Sequence, residues 1–182
     1  ELPDELASEY RFTQGQHLAL RATLGGEELR RSYSVCSGCD DGELRVAVKK
    51  VPGGRFSVWA NESLRPGDAI DVMTPEGRFF TPLSPEHDKH YVAFVAGSGI
   101  TPVLSLIRTT LAREPKSRFT LVYGNRRQAS VMFHEALEDL KDRYLTRFAL
   151  FNVFSREEQD IELFNGRLDG AKARAFLATL VP

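Results

Sequence analysis

The chain has 182 residues, with 24 basic and 25 acidic side chains, a formal net charge of -1 and 42% hydrophobic residues. This length allows one large domain or two small ones, and the composition excludes a chain that is disordered throughout. The even charge balance excludes a broad basic surface for nucleic acid, and no apolar run approaches the roughly 18 residues of a membrane-spanning helix. Two cysteines are too few for a disulfide framework and favour a reducing, cytoplasmic compartment.

The first half of the chain predicts short β-strands separated by turns. Alternating apolar and polar residues predict strands over 16–22, 29–35, 43–51 and 69–73, and a short helix is predicted over 57–64. Glycine and proline clusters lie between these segments. Several short strands at this spacing are typical of a small antiparallel barrel or sandwich.

The second half predicts a parallel sheet with crossover helices. Strands are predicted over 91–96, 119–123 and 145–154, and they alternate with helices over 100–113, 130–144 and 169–180, the last capped by Asp169. The polar segment 81–89 carries two prolines and separates the halves. We therefore predict one domain over residues 1–86 and another over 87–182.

A glycine turn follows the first buried strand of the second half and opens a helix. The sequence Gly97-Ser98-Gly99-Ile100-Thr101-Pro102 occupies the first βα turn, where a diphosphate binds helix N-terminal amides. Thr101 is predicted to cap the helix and Pro102 to occupy its first position. The alternative is a plain tight turn with no ligand.

The next strand ends without the acidic residue that typically binds the ribose of NAD. No Asp or Glu occurs between Phe119 and His134, and the strand runs instead into Asn125-Arg126-Arg127. These arginines suit the 2′-phosphate of NADPH, because guanidinium binds phosphate through paired hydrogen bonds. The alternative is that they are solvated surface residues.

Five segments in a fixed order carry a resemblance to a known family. They are Arg31-Ser32-Tyr33-Ser34, Val48-Lys49-Lys50, Gly53-Gly54-Arg55-Phe56-Ser57, Arg65-Pro66-Gly67-Asp68 and the glycine turn at 97–102. Together they resemble the ferredoxin–NADP reductase superfamily, a flavin-binding β-barrel followed by a nicotinamide-binding α/β domain. Residues 15–18, 30–36 and 123–126 resemble most closely the reductase components of phenylacetate-degradation (phenylacetyl-CoA epoxidase) complexes.

The resemblance implies a role for each matching residue. In the first domain, Arg31 would bind the FAD diphosphate, while Tyr33 and Ser34, the two catalytic candidates, would stack on the flavin and hydrogen-bond its N5. The remaining FAD contacts would come from Val48, Lys49, Gly54, Phe56 and Ser57. The nicotinamide nucleotide would be bound by Gly97, Gly99, Thr101, Pro102, Asn125 and Arg126. The structural alternative is a buried strand tyrosine at 33 and an ordinary turn at 53–54.

The resemblance also implies an electron-transfer reductase. Electrons would pass from NAD(P)H, with a preference for NADPH, through FAD to a 2Fe-2S centre and an oxygenase in aromatic degradation. The ferredoxin domain with that cluster, the first barrel strand and a C-terminal Cys-Gly-Pro motif are expected outside these 182 residues. Two alternatives stay open: a reductase for a separate ferredoxin or another ring-hydroxylating oxygenase, and a nucleotide-binding regulatory module without turnover.

The remaining motifs do not predict a metal site. Cys36-Ser37-Gly38-Cys39 lacks a second ligand pair for zinc and lies outside a βαβ context, so we interpret it as a structural pair. The four histidines form no ligand pattern. Trp59 is predicted to pack the short helix.

Overall fold

The structure, a computed structural model, describes residues 2–179. The chain divides into two compact units. The first extends to Thr81 and also includes Leu104–Thr109, and the second comprises Pro82–Val103 and the residues from Thr110 onward. No helix among residues 2–179 is long and apolar enough to cross a membrane.

The first unit contains a three-stranded antiparallel sheet. Its elements are β1 (His17–Leu24), β2 (Glu27–Ser34), helix α1 (Arg55–Glu62) and β3 (Asp71–Val72), with strand order β2-β1-β3. Gly25 and Gly26 join β1 to β2 and both have positive φ angles, 60° and 80°, as a tight hairpin turn requires. The side chains of Leu20, Leu29 and Phe56 form the core between this sheet and α1.

The predicted strand over residues 43–51 is wrong. Only Val46 pairs, in a single bridge to Val35. The physical reason is that side chains take the backbone hydrogen bonds that a neighbouring strand would otherwise supply. These bonds join Arg45 N to Ser37 Oγ at 3.1 Å, Asn61 Nδ2 to the Val48 carbonyl at 3.0 Å and Val51 N to Ser57 Oγ at 3.1 Å.

The second unit contains the predicted parallel sheet, in the order β4-β5-β6. Its strands are β4 (His90–Ala96), β5 (Arg118–Asn125) and β6 (Phe148–Phe154), and the helices that follow them are α2 (Ile100–Arg113), α3 (His134–Arg143) and α4 (Gly170–Thr179). On one face of the sheet Val122 and Val153 pack against Phe176 of α4. The predicted fold class, an antiparallel sheet followed by a parallel α/β sheet, is confirmed.

The predicted start of α4 is correct, whereas the predicted start of α3 is not. Asp169 caps α4 as predicted, since its Oδ1 accepts a hydrogen bond from the Lys172 amide at 2.9 Å. Helix α3 begins at His134 rather than at residue 130, because Phe133 has a positive φ of 59° that interrupts the helical backbone. The predicted last residue of α4, Leu180, lies outside the described residues.

Candidate functional site

Strand β2 presents Arg31 and Tyr33 on one face. Residues directly opposite in antiparallel strands share a face, and the register pairs Arg31 with Leu20 and Tyr33 with Leu18. The Tyr33 ring lies 5.7 Å from the Phe56 ring in the first turn of α1. Burial raises the pKa of the Tyr33 hydroxyl, and the nearby charge of Arg31 opposes this rise. The structure therefore brings Arg31, Tyr33 and the start of α1 together.

Arg31 differs from its neighbour Arg30 in its ionic partners. Arg30 Nε lies 2.9 Å from Glu28 Oε1, whereas Arg31 Nη1 donates to the Arg30 carbonyl at 2.6 Å. Within residues 2–179 the Arg31 guanidinium has no carboxylate partner. Its charge and remaining donors are therefore available to an anion, as a diphosphate would require.

The turn before α1 depends on glycine and on Ser57. Gly53 has a φ of 73°, and a Cβ at Gly54 would lie 2.5 Å from Ser57 Oγ. Ser57 Oγ accepts a hydrogen bond from the Val51 amide at 3.1 Å and donates to the Gly54 carbonyl at 3.3 Å, so its proton is used within the turn. No side chain of the described residues caps α1. The first-turn amides are the groups that this segment offers to a phosphate.

The other predicted flavin residues are less closely grouped. Ser34 ends β2 half-buried, and strand alternation turns its side chain to the opposite face from Tyr33. The Val48 carbonyl already accepts a bond from Asn61. Lys49 is exposed, and its side chain has no ion pair among the described residues, while Lys50 pairs with Glu62.

In the second unit, β4 leads into a tight turn, Gly97–Gly99, directly before α2. Gly97 has a φ of 53°, a conformation that favours glycine. A Cβ at Gly97 would meet nothing within 4 Å, and one at Gly99 would meet only the Val95 side chain at 3.6 Å. The turn is therefore open on the side where a diphosphate would approach.

The predicted cap by Thr101 is wrong. Thr101 is buried as the second residue of α2, and its hydroxyl donates to the Ser98 carbonyl at 3.0 Å. Gly99 is the N-cap residue, and no side chain within residues 2–179 caps α2. Pro102 is the third residue of the helix instead of the first, but it still lies in the turn whose amides have no intrahelical acceptor.

Polar groups collect where β5 and β6 end. Asn125 is buried, and its Nδ2 forms no hydrogen bond within residues 2–179. Burial raises the pKa of the Tyr123 hydroxyl, and the nearby Asn125 side chain opposes this rise. Arg126 and Arg127 are exposed. The Arg156 amide donates to the Arg126 carbonyl at 2.9 Å, which brings a third cation to this edge. Sequence reasoning missed Arg156; its signal was a basic residue just after a parallel strand.

Both cysteines are free thiols with separate partners. Cys36 Sγ lies 3.3 Å from the Arg45 carbonyl, and Cys39 Sγ lies 3.4 Å from the Phe12 carbonyl. Burial raises the pKa of Cys36, which disfavours a reactive thiolate. Within residues 2–179 no three His, Cys, Asp or Glu side chains are grouped for a metal. Trp59 packs edge-on against Phe56, as predicted, with ring centres 5.4 Å apart.

These two units define a class of nucleotide-binding oxidoreductases, with one flavin-binding and one nicotinamide-binding domain. The family described as "Oxidoreductase FAD-binding domain" matches residues 2–95, and the family described as "Oxidoreductase NAD-binding domain" matches residues 94–180. The chain belongs to the ferredoxin–NADP reductase-like oxidoreductases with FAD- and NAD-binding domains. The family resemblance seen in the sequence is thereby confirmed.

The chain is also similar in sequence or fold to individual proteins of known name. The chain is 49% identical over 180 residues to one subunit of the 1,2-phenylacetyl-CoA epoxidase of Escherichia coli (strain K12), covering 99% of this chain and 51% of that protein. It is 36% identical to the ferredoxin reductase component of 3-ketosteroid-9-alpha-monooxygenase from Rhodococcus rhodochrous, covering 82% and 42%. A solved Amycolatopsis cytochrome P450 reductase has a TM-score of 0.77 and 27% identity, covering 93% and 49%. The chain thus spans about half, or less, of the length of these proteins.

Proposed function

We propose that this chain is the FAD- and NAD(P)H-binding part of a reductase that sends electrons through a 2Fe-2S centre to an oxygenase in phenylacetate degradation. The observation that carries the proposal is Arg31, which has no carboxylate partner among the described residues and lies on the same strand face as Tyr33, near the first turn of α1. The relative that is 49% identical is named as part of an epoxidase, which supports the same reaction sequence.

The residues of the first unit fit FAD. Bound FAD would accept two electrons from the nicotinamide and release them singly. Arg31 would bind its diphosphate together with the amides of Phe56 and Ser57, and the absent Cβ at Gly54 keeps this turn intact. The Tyr33 ring would stack on the flavin. The Ser34 side chain has no hydrogen bond among the described residues, and its hydroxyl would donate to N5 from the last position of β2, where the strand and its alternation end. The backbone of Val48 and Lys49 would line the pyrimidine side.

The residues of the second unit fit a nicotinamide nucleotide. Because Gly97 and Gly99 carry no side chains, the backbone of the turn before α2 would be accessible to the diphosphate, with Thr101 and Pro102 beside it. The amide nitrogen of Asn125 is unbonded within residues 2–179 and is a donor that a ligand could satisfy. Arg126, with Arg156 next to it, would bind the 2′-phosphate and favour NADPH over NADH.

The domains and partners of this proposal follow from the same residues. We assign the FAD domain to residues 1–86 and the NAD(P) domain to 87–182, near the division between Thr81 and Pro82. Two cysteines cannot supply the four ligands of a 2Fe-2S cluster, so we assign that cluster to a ferredoxin domain or protein outside these residues. The relative named as a ferredoxin reductase component favours a separate ferredoxin as the second candidate acceptor. We place the reductase in the cytoplasm.

The absorbance spectrum of the purified chain tests the proposal directly. We expect a bound flavin spectrum that is bleached under anaerobic conditions by NADPH more readily than by NADH. A chain that binds no flavin would refute the FAD assignment. Bound flavin that neither nucleotide reduces would favour the non-catalytic regulatory alternative, and faster bleaching by NADH would contradict the role given to Arg126.

A matched pair of variants tests the carrying observation. Arg31→Ala should weaken FAD binding by about 1–3 kcal/mol, because it removes a charge-assisted hydrogen bond. Arg30→Ala removes the same charge one residue away, where it is already paired with Glu28, and should leave FAD affinity almost unchanged. FAD affinity is read by titrating apoprotein and following flavin fluorescence. Equal losses in both variants would mean that FAD responds only to the net charge of the strand.

A further inference from the structure

The Tyr123 hydroxyl is a buried polar group to which neither the family resemblance nor the proposed cofactor contacts give a role. Tyr123 lies on β5 and is 0% exposed. Its hydroxyl donates a hydrogen bond to the Gly97 carbonyl at 2.8 Å and accepts one from the Met132 amide at 3.4 Å. One side chain therefore joins the glycine turn before α2 to the loop before α3.

The bond to Gly97 orients the peptide that follows it. In a trans peptide the carbonyl and the next N–H point in opposite directions. Because the Gly97 carbonyl is directed at the buried Tyr123 hydroxyl, the Ser98 N–H is directed away from it. Ser98 is exposed, and the positive φ of Gly97 makes this orientation accessible. The Gly97 carbonyl also accepts a bond from the Ile100 amide, which holds the turn from its other side.

The bond to Met132 fixes the second loop at a point of backbone strain. Phe133, the next residue, has a φ of 59°, which a bulky side chain adopts only when its surroundings impose it. The same loop begins at Arg127, whose amide is bonded to Ser130 Oγ at 3.1 Å. Tyr123 thus restrains the glycine turn and the loop after Arg126 at one edge of the sheet.

We propose that Tyr123 is a positioning residue, whose hydroxyl directs the Ser98 N–H toward the diphosphate of the nicotinamide nucleotide. This inference rests on the proposed function, since it requires that the glycine turn binds such a nucleotide. The diphosphate is common to NAD⁺ and NADP⁺. The contribution of Tyr123 is therefore the same for both nucleotides, unlike the contribution of Arg126, which concerns the 2′-phosphate alone.

The substitution Tyr123→Phe removes this hydroxyl and keeps the ring. Calorimetric titration of the purified chain should show that both NADP⁺ and NAD⁺ bind about three- to tenfold more weakly, the loss expected for one hydrogen bond. The matched control is Tyr91→Phe. The Tyr91 hydroxyl is bonded to Glu114 at 3.2 Å, near the opposite end of the same sheet, so its removal should leave both affinities unchanged.

A second variant perturbs the backbone conformation of the same turn directly. Gly97→Ala meets no steric obstacle but disfavours the φ of 53°, so it should also weaken both nucleotides. If Tyr123 acts through Gly97, the double variant should lose less affinity than the product of the two single losses.

Three results would overturn the inference: unchanged affinity in Tyr123→Phe, equal losses in Tyr91→Phe, or an effect on NADP⁺ alone. Thermal melts of each variant ensure that the folded chain is compared. A wild-type chain that binds neither nucleotide would instead refute the proposed function and, with it, the basis of this inference.

Discussion

The charged side chains at the two ends of the parallel sheet differ in whether they have hydrogen-bonding or ionic partners within the protein. Where β5 and β6 end, Arg126 and Arg156 have no carboxylate partner among the described residues, and the Asn125 amide nitrogen is unbonded. Near the other end, the fully buried Glu114 has several partners for its Oε1 atom, while its buried Oε2 atom has no hydrogen bond among the described residues. These are the Ser84 amide at 3.1 Å, His87 Nδ1 at 2.7 Å and the Tyr91 hydroxyl at 3.2 Å.

Arg147 extends this bonded cluster. Its guanidinium donates to the carbonyls of Glu114 at 2.9 Å, Ser117 at 3.2 Å and Leu111 at 2.9 Å. A charge whose hydrogen bonds are made within the protein supports the fold, whereas a charge left without a partner is available to a ligand. We attribute stability to the end where the strands begin, and the proposed nucleotide site lies at the end where they finish, as is usual for open α/β sheets.

The largest expected effect on stability comes from removing the carboxylate of Glu114, the acceptor in the hydrogen-bonded cluster near the start of the strands. Glu114→Ala leaves the Ser84 amide, His87 and Tyr91 without their acceptor and should lower the free energy of unfolding by about 2–4 kcal/mol. NADP⁺ affinity of the folded chain should not change. Urea denaturation and calorimetric titration measure the two quantities.

The exposed Glu138 gives the control for this first variant. Its carboxylate lies 3.7 Å from Lys141 on the surface of α3, so Glu138→Ala should change the unfolding free energy by no more than about 0.5 kcal/mol. A Glu114→Ala chain that is as stable as wild type would refute the stabilising role of the cluster.

The second largest effect concerns Arg126, at the end of the sheet where β5 and β6 finish. Arg126→Ala should weaken NADP⁺ binding by about 1–3 kcal/mol, because one charge-assisted hydrogen bond to the 2′-phosphate is lost. NAD⁺ binding and the melting temperature should stay as in wild type. Arg118 begins the same strand that Arg126 follows and is also exposed, so Arg118→Ala is the matched control and should leave both nucleotides unaffected. Equal weakening of NAD⁺ by Arg126→Ala would rule out 2′-phosphate recognition.

The smallest effect is a pH dependence of stability. Burial of Glu114 opposes its ionisation, but donors around it, among them Ser117, His87 and the Ser84 amide, outweigh this and hold its pKa below the ordinary value. A carboxyl with a lowered pKa in the folded state stabilises the protein above its unfolded pKa of about 4.3 and loses this contribution as the pH falls through the folded pKa. The stability difference between wild type and Glu114→Gln should therefore shrink between pH 7 and pH 3 in urea denaturation.

For Tyr91 we expect a loss of stability at alkaline pH. Burial and its bond to Glu114 raise the pKa of Tyr91 to about 12. A raised folded pKa stabilises the protein below the unfolded value of about 10, and this contribution is lost as the pH rises toward 12. Tyr91→Phe should lose less stability than wild type over that range. Parallel loss in both proteins would show that the Tyr91 hydroxyl does not titrate with folding.

Local patterns predicted the elements that carry their own signals. Helix α2 was predicted over residues 100–113 and found there, because its apolar stripe is long and regular. Asp169 was recognised as a cap from its position alone. The strand predicted over residues 43–51 was wrong because backbone groups of this segment bond to the side chains of Ser37, Ser57 and Asn61. Side-chain contacts between separate segments leave no periodic signal in the sequence.

The sequence by itself determined the order of the two sheets, the glycine turn at 97–99 and the family to which the chain belongs, because periodicity and motif spacing are local properties. Only the tertiary structure decided that Arg30 is paired while Arg31 has no carboxylate partner in the part of the chain that the structure describes. It also decided that Arg156 lies beside Arg126 and that Tyr123 bonds to Gly97. These relations depend on strand register and on contacts between residues far apart in the chain. The structure also decided that the two cysteines are free thiols, each hydrogen-bonded to a different backbone carbonyl.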